Sequence, residues 1–241
     1  MRRGDFNING FVGSANNAVI TSWFDTTIPK RKITLNDSAV GLDRAILLDD
    51  GNYDNREFTF EFSITADTEA QRKSRYVALL IALDTGKYVP ATFYFDESYQ
   101  YQIVRTDVLD ITRPLIFSST RIYRVEVSAA PFKYLLNVAN VTGTSLTLTN
   151  PEAYTAKPHF IITGNGNINL TVNGVVTKLT GVVSSIELDA SLQTVWRMNG
   201  PTLVNENAKM AIGPFPVLKT GTNTVSVSTG TVTVEPKWRT L

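Results

Sequence analysis

A chain of 241 residues, 43% of them hydrophobic, can bury a core in one large β domain or in two of ordinary size. Its net charge of +1 gives no electrostatic reason to expect nucleic acid or an anionic membrane as a partner. With no cysteine and a single histidine, His159, disulfides, thiolate metal sites, cysteine nucleophiles and two-histidine metal sites within one chain are excluded.

The opening MRRGDFNING has two arginines with no apolar stretch behind them, so no signal peptide is expected. Strands are predicted near residues 6–11, 18–24, 56–65, 90–95, 101–108 and 120–129. The clearest lies in NYDNREFTFEFSIT, where Phe58, Phe60, Phe62 and Ile64 alternate with Glu57, Thr59, Glu61 and Ser63, one apolar and one wet face. Residues 25–55 are less periodic, with turn signals at Pro29, Asp49, Asp50 and Gly51, and read as a long excursion such as an extended hairpin. Lys30, Arg31 and Lys32 are the only basic run of three, the composition of a solvated loop or strand end.

One helix is predicted from about Asp67 to Asp84. Asp67, or Thr68 with Gln71 as a capping box, starts it, and Gly86 closes it. Val77, Leu80, Ile81 and Asp84 share one face, widened by Tyr76, Leu79 and Leu83, and that stripe reads as core packing. YVALLIAL, the longest apolar run, is too short to span a bilayer.

Composition changes near SAAPFKYLLN. Residues 1–134 hold 16 basic and 17 acidic side chains, whereas residues 135–241 hold 7 and 5 and are rich in Thr, Val, Asn and Gly. That shift sets an expected domain boundary, 1–134 and 135–241, with Pro131 removing a ladder donor beside it. The second part reads as short strands separated by turns. NLTVN and VVTKL form a hairpin through Asn173-Gly174, and NTVSVSTGTVTVEPKW a second about Thr229-Gly230. The fold class expected is mainly β: an α+β domain with one helix, then an all-β sandwich.

Nothing in this pattern assembles a catalytic site. His159 follows Pro158 at a strand start, and no serine stands in a Gly-x-Ser-x-Gly elbow to engage it. Asp49-Asp50 and Asp96-Glu97 are adjacent pairs beside turn residues, and adjacency does not set two carboxyl groups face to face across a cleft. GNGN at 164–167 lacks the Lys-Ser/Thr of a phosphate loop and opens no helix. Trp23, Trp196 and Trp238 could stack a sugar, although a tryptophan in an all-β domain is more often packing.

FNING, GLDRAILLDDGNYDNREFTFEFSI, a single helix, APFKY and a terminal VTVEPKWRTL occur in that order along the chain. Together they resemble the distal tail protein (Dit) family of long-tailed, non-contractile bacteriophages, especially those of Gram-positive hosts, over almost the whole length. The resemblance implies an N-terminal ring-forming β domain related to the tail-tube fold (1–134, helix about 67–84) and a C-terminal galectin-like β-sandwich (135–241). It implies a homo-hexameric ring at the distal end of the virion tail, assembled in the host cytoplasm. That ring would join the tail tube protein to a tail-associated lysin or tail-tip protein, and to receptor-binding proteins where present. Its central channel would pass the tape measure protein and DNA.

A structural hub of this kind is expected to carry no enzymatic activity, cofactor, metal, membrane contact or sequence-specific nucleic-acid recognition. Its subunit interface is expected at Ile28, Pro29, Lys30, Arg31, Lys32, Ile33, Leu47, Leu48, Asp49, Asp50, Gly51 and Tyr53. The His-x-Asn-x-Arg strand of sugar-binding galectins is absent, because Phe160, Ile161 and Ile162 follow His159. The alternative is a carbohydrate-binding β-sandwich protein contacting the host cell wall, with Trp196 and Arg197 as its glycan contacts.

Overall fold

The first half of the chain contributes β1 (Phe6–Ile8), β2 (Phe11–Val12), β3 (Ala18–Ile20), β4 (Arg31–Asn36), β5 (Ile46–Tyr53), β6 (Arg56–Thr65), α1 (Glu69–Leu83), β7 (Val89–Phe93), β8 (Tyr99–Thr112) and β9 (Thr120–Ala129), and β10 (Lys133–Leu135) follows. The computed structural model describes residues 1–21, 28–36, 41, 43–112 and 118–241. It divides into two units, Met1–Lys133 with Leu241, and Tyr134–Thr240. The strand expected over 18–24 runs to Ile20 in its described part; Trp23 lies outside the described residues.

β6 organises the first unit. Its period of two buries Phe58, Phe60, Phe62 and Ile64, and it pairs along its whole length with β9, Arg56 opposite Ala129 and Thr65 opposite Thr120. The antiparallel sheet continues in the order β2-β1-β7-β8-β9-β6-β3. Its buried face is dominated by aromatics. Phe60 stacks on Phe93 at 5.0 Å and Phe62 tilts against Phe6 at 4.9 Å. Each fully buried ring contributes about 1.5–3 kcal/mol of transfer free energy.

Thr68 is the N-cap of α1: its Oγ1 accepts from the Gln71 amide at 3.2 Å, leaving Asp67 outside the cap. The buried side of the helix is Arg72, Leu79, Ala82 and Leu83, with Tyr76 stacked on Tyr123 at 3.9 Å. The stripe expected in the core is therefore rotated. Val77 and Ile81 are exposed, Leu80 is half-buried, and Asp84 at the C-cap pairs with Arg105 at 2.8 Å. Arg72 enters the interior with its two terminal guanidinium nitrogens engaged, Nη1 donating to the carbonyls of Ala66 and Ser119 and Nη2 to Glu69, while its buried Nε has no partner among the described residues.

The second unit holds β11 (Val141–Gly143), β12 (Ser145–Asn150), β13 (His159–Thr163), β14 (Gly166–Val172), β15 (Val175–Val182), β16 (Ser185–Asp189), β17 (Thr194–Asn199), β18 (Thr202–Asn205), β19 (Met210–Ile212), β20 (Gly221–Val227), β21 (Thr231–Glu235) and β22 (Arg239–Thr240). β11 to β21 form two sheets, β11-β21-β13-β16-β17-β18 and β12-β20-β14-β15-β19, and β22 pairs with β10. Phe160, Ile162, Leu188 and Val232 from one pack with Ile168, Leu170, Leu148 and Val225 from the other in a single core.

The Asn173-Gly174 hairpin forms as expected, with φ of 51° and 82° at its two turn residues. The segment about Thr229-Gly230 does not form one: β20 belongs to the five-stranded sheet and β21 to the six-stranded sheet, so it is a crossover. A side chain at Gly230 would place its Cβ 2.0 Å from the Thr163 carbonyl oxygen, and only glycine allows that approach.

Candidate functional site

β4 and β5 pair only with each other, as a two-stranded ribbon with Ile33 opposite Asp49, Thr34 opposite Leu48, Leu35 opposite Leu47 and Asn36 opposite Ile46. Opposed residues share a face. One face therefore carries Ile33, Leu35 and Leu47, and the other carries Thr34, Ile46 and Leu48. A ribbon packed on its own protein would be apolar on one side. This one is apolar on both, and every residue of β4, together with all of β5 before Tyr53, is exposed, Leu35 to 64%. An isolated two-stranded ribbon is marginal in water, so these faces call for a covering partner.

The base of the ribbon is pinned. Arg31 Nε donates to Asp49 Oδ1 at 3.0 Å and to Oδ2 at 3.1 Å, and the guanidinium lies 5.7 Å from the centre of the Tyr53 ring. Tyr53 meets Phe132 edge-on at 5.6 Å, and the Asp54 amide donates to the Lys30 carbonyl at 2.8 Å. The hydrogen bonds from Arg31, followed by that from the Gly51 amide at 2.9 Å, hold the Asp49 carboxyl below the usual carboxylate range. The same bonds, with the charge of Asp49, raise the Arg31 guanidinium. Gly51, at φ 71°, is the glycine this turn of the backbone requires.

Of the residues expected at the interface, Ile28, Lys30–Ile33 and Leu47–Gly51 are exposed on or beside the ribbon, and Tyr53 is half-buried at its base. Pro29 is a correction: it is buried, and its ring is not part of the presented surface. Leu35 and Ile46, which were not among the expected residues, are exposed on the same ribbon; Leu35 continues the alternation from Ile33 and Ile46 begins the ILL run.

Asp96, Glu97 and the histidine are otherwise engaged. Asp96 accepts from the Tyr101 hydroxyl and from Lys133 Nζ, both at 2.7 Å, and Glu97 pairs with the N-terminal amine. Burial pushes the Tyr101 phenol up, so it stays a donor. His159 lies flat against Trp196 at 5.3 Å, with Nδ1 3.0 Å from Glu235. Its Nε2 is 3.0 Å from Glu187 but outside hydrogen-bond geometry. Among the described residues no group of three or more His, Asp or Glu is arranged to hold a metal ion.

Trp196 and Arg197 are neighbours on β17, and the pleat sends them to opposite faces. Trp196 covers His159, while Arg197 Nε donates to Glu206 at 3.0 Å on the other side, so the strand does not bring the two together as one sugar platform. No helix among the described residues is long and apolar enough to cross a membrane.

A scan against family models finds none that matches this chain, and a search of curated protein sequences finds no match. Solved structures do match. The Dit protein of phage SPP1, described as a paradigm of the hub adsorption apparatus in phages infecting Gram-positive hosts, aligns with a TM-score of 0.68 at 14% identity, over 95% of this chain and 96% of that one. Two structures of the phage P2 baseplate in its activated conformation, one with calcium and one with strontium, align at 0.51 and 0.52 with 8% identity, over 92% of this chain and 91% of theirs. At these identities the likeness is one of fold, and it runs through both units: this chain has the fold of a phage distal tail hub.

Proposed function

We propose that this protein is the structural hub of a long non-contractile phage tail, a ring of six copies joining the tail tube to the tail-tip or tail-associated protein. The observation that carries this reading is the full-length fold likeness to the SPP1 hub protein, which takes in 95% of this chain and 96% of that one. The β4–β5 ribbon supports it independently, because two apolar faces on one exposed ribbon are a surface for other chains and not for solvent.

A head-to-tail contact repeated around a closed axis covers such a ribbon in every copy without leaving a free end. In this reading the ring's open centre passes the tape measure protein and then DNA without sequence readout. The second unit faces outward, where receptor-binding proteins attach in tails that carry them. No reaction is assigned to the chain. Asp49 and Asp96 are engaged in ion pairs and hydrogen bonds and supply no pair of facing carboxylates at those positions.

Negative-stain microscopy and multi-angle light scattering on the purified full chain, alone and with its neighbouring tail proteins, test the proposal. A sixfold ring with an axial opening is the expected particle. A monomer at every concentration and salt, which the neighbouring tail proteins also fail to assemble, would overturn it.

A further inference from the structure

The C-terminal half of α1, Tyr76 to Leu83, is apolar nearly all round, the pattern of a helix covered on more than one side. Its own unit covers one side, through Tyr76, Leu79, Ala82 and Leu83. On the other, Val77 and Ile81 are exposed, Ile81 to 68%, and Lys73 stands one turn before Val77 in the same row. The β4–β5 ribbon is the second uncovered apolar surface of this unit. On its Leu48 face the paired register sets Ile46 and Leu48, and Asp50 is the next alternate residue of β5, where the register shift toward Tyr53 begins.

The two rows match in spacing, in order and in charge. Residues four apart on a helix advance by about 6 Å, and alternate residues on a strand by about 6.7 Å. Run antiparallel, they set Lys73 against Asp50, Val77 against Leu48 and Ile81 against Ile46. Among the described residues neither the Lys73 ammonium nor the Asp50 carboxylate takes part in an ion pair, so the one cation and the one anion of these rows are both available.

We infer that the outer row of α1 is the acceptor for the β4–β5 ribbon of a second copy of this chain. The inference rests on the ring reading above and adds to it which two surfaces meet. A closed ring needs a heterologous contact between two different patches on each subunit, and this unit presents two that are complementary. The ribbon has 6 residues in β4 and 8 in β5, fewer than the about 20–30 residues a side of a standard interface. It is therefore one part of the subunit contact, and it selects the neighbour and its register.

The absence of cysteine makes a direct test available. The full chain carrying both Asp50→Cys and Lys73→Cys has only those two thiols, at exposed positions. Mild oxidation is expected to yield a ladder of covalent multimers on a denaturing gel, whereas each single variant stops at dimer. If light scattering shows the double variant assembled and oxidation gives no ladder, the contact assigned here is wrong while the ring stands. If the unsubstituted chain fails to assemble, alone or with its neighbouring tail proteins, the ring reading fails and the contact falls with it. A charge exchange supplies a second reading: Asp50→Lys or Lys73→Asp alone weakens assembly, and the two together restore it. Failure of the pair to restore assembly would overturn the contact even where the cysteine variants misfold.

Discussion

Two hairpins in this molecule use similar residues and end differently. In β14–β15, Ile168, Leu170, Val172, Leu179 and Val182 point inward and are buried, while Asn169, Lys178 and Thr180 remain in solvent. In β4–β5, Ile33, Leu35, Ile46, Leu47 and Leu48 are spread over both faces, and all are exposed. The first hairpin is stabilised by the core beneath it. The second has no core of its own beneath it, and its apolar side chains are left to solvent on both faces.

The sharpest way to break that comparison is to truncate one leucine in each. Leu170→Ala removes a fully buried side chain and is expected to cost about 2–5 kcal/mol in urea unfolding. Leu48→Ala removes an exposed one and should change the stability of the unassembled chain by less than about 0.5 kcal/mol while weakening assembly. Equal losses from the two variants would mean that the ribbon is packed within its own subunit.

Glycine substitutions sharpen the same contrast at a smaller scale. Gly230 and Gly51 both have left-handed backbones, at φ 82° and 71°. Gly51→Ala meets no atom and costs only the conformational strain, about 1–2 kcal/mol. Gly230→Ala adds a collision with the Thr163 backbone, so its loss in thermal unfolding should clearly exceed that of Gly51→Ala.

How much of this was legible in the sequence depended on whether one local rule decided the matter. The alternation of β6 and the Asn173-Gly174 turn each specify one conformation, and both form as read. The helix was legible as a helix, but its buried side was not. From Tyr76 to Leu83 nearly every residue is apolar, so the 3.6-residue period cannot choose a face, and the interior guanidinium of Arg72 is set by carbonyls outside the helix, those of Ala66 and Ser119.

The Thr229-Gly230 turn was legible, yet whether its flanking strands share a sheet is decided by β11 and β13, which take β21 as their partner. The ribbon was legible as an excursion with turn residues. Its two-faced exposure required knowing that the fold leaves both Leu35 and Ile46 exposed, which no local pattern states. One capping detail falls between these cases, since the sequence allowed Asp67 or Thr68. Thr68→Ala is expected to cost about 1 kcal/mol, and Asp67→Ala less.

The smallest expected effect separates the ribbon from the second unit electrostatically. Asp49 and Asp189 both titrate below the ordinary carboxylate value of 3.8, for different reasons. Asp49 is lowered chiefly by hydrogen bonds from Arg31, on a ribbon whose strands are exposed. For Asp189 burial is the largest influence and works upward, but it is outweighed by the hydrogen bond from Lys237, 2.8 Å away, together with the Leu192 and Ser191 amides and the charge of Lys237.

A carboxyl depressed on folding stabilises the native state above its unfolded pKa, and that contribution is lost as pH falls through the depressed value. The Arg31–Asp49 clamp should therefore hold at neutral pH and open only below about pH 4. The Gly51 amide, which donates to Asp49, reports this by NMR, with a midpoint below 3.8. Raising the salt to about 1 M shortens the screening length to about 3 Å. It should move the Asp49 midpoint upward and leave that of Asp189, read at the Leu192 amide, nearly unchanged. If both midpoints move together, the ribbon's ion pair is as sheltered as the one beside β16, and the unassembled chain does not present that side of the ribbon to solvent.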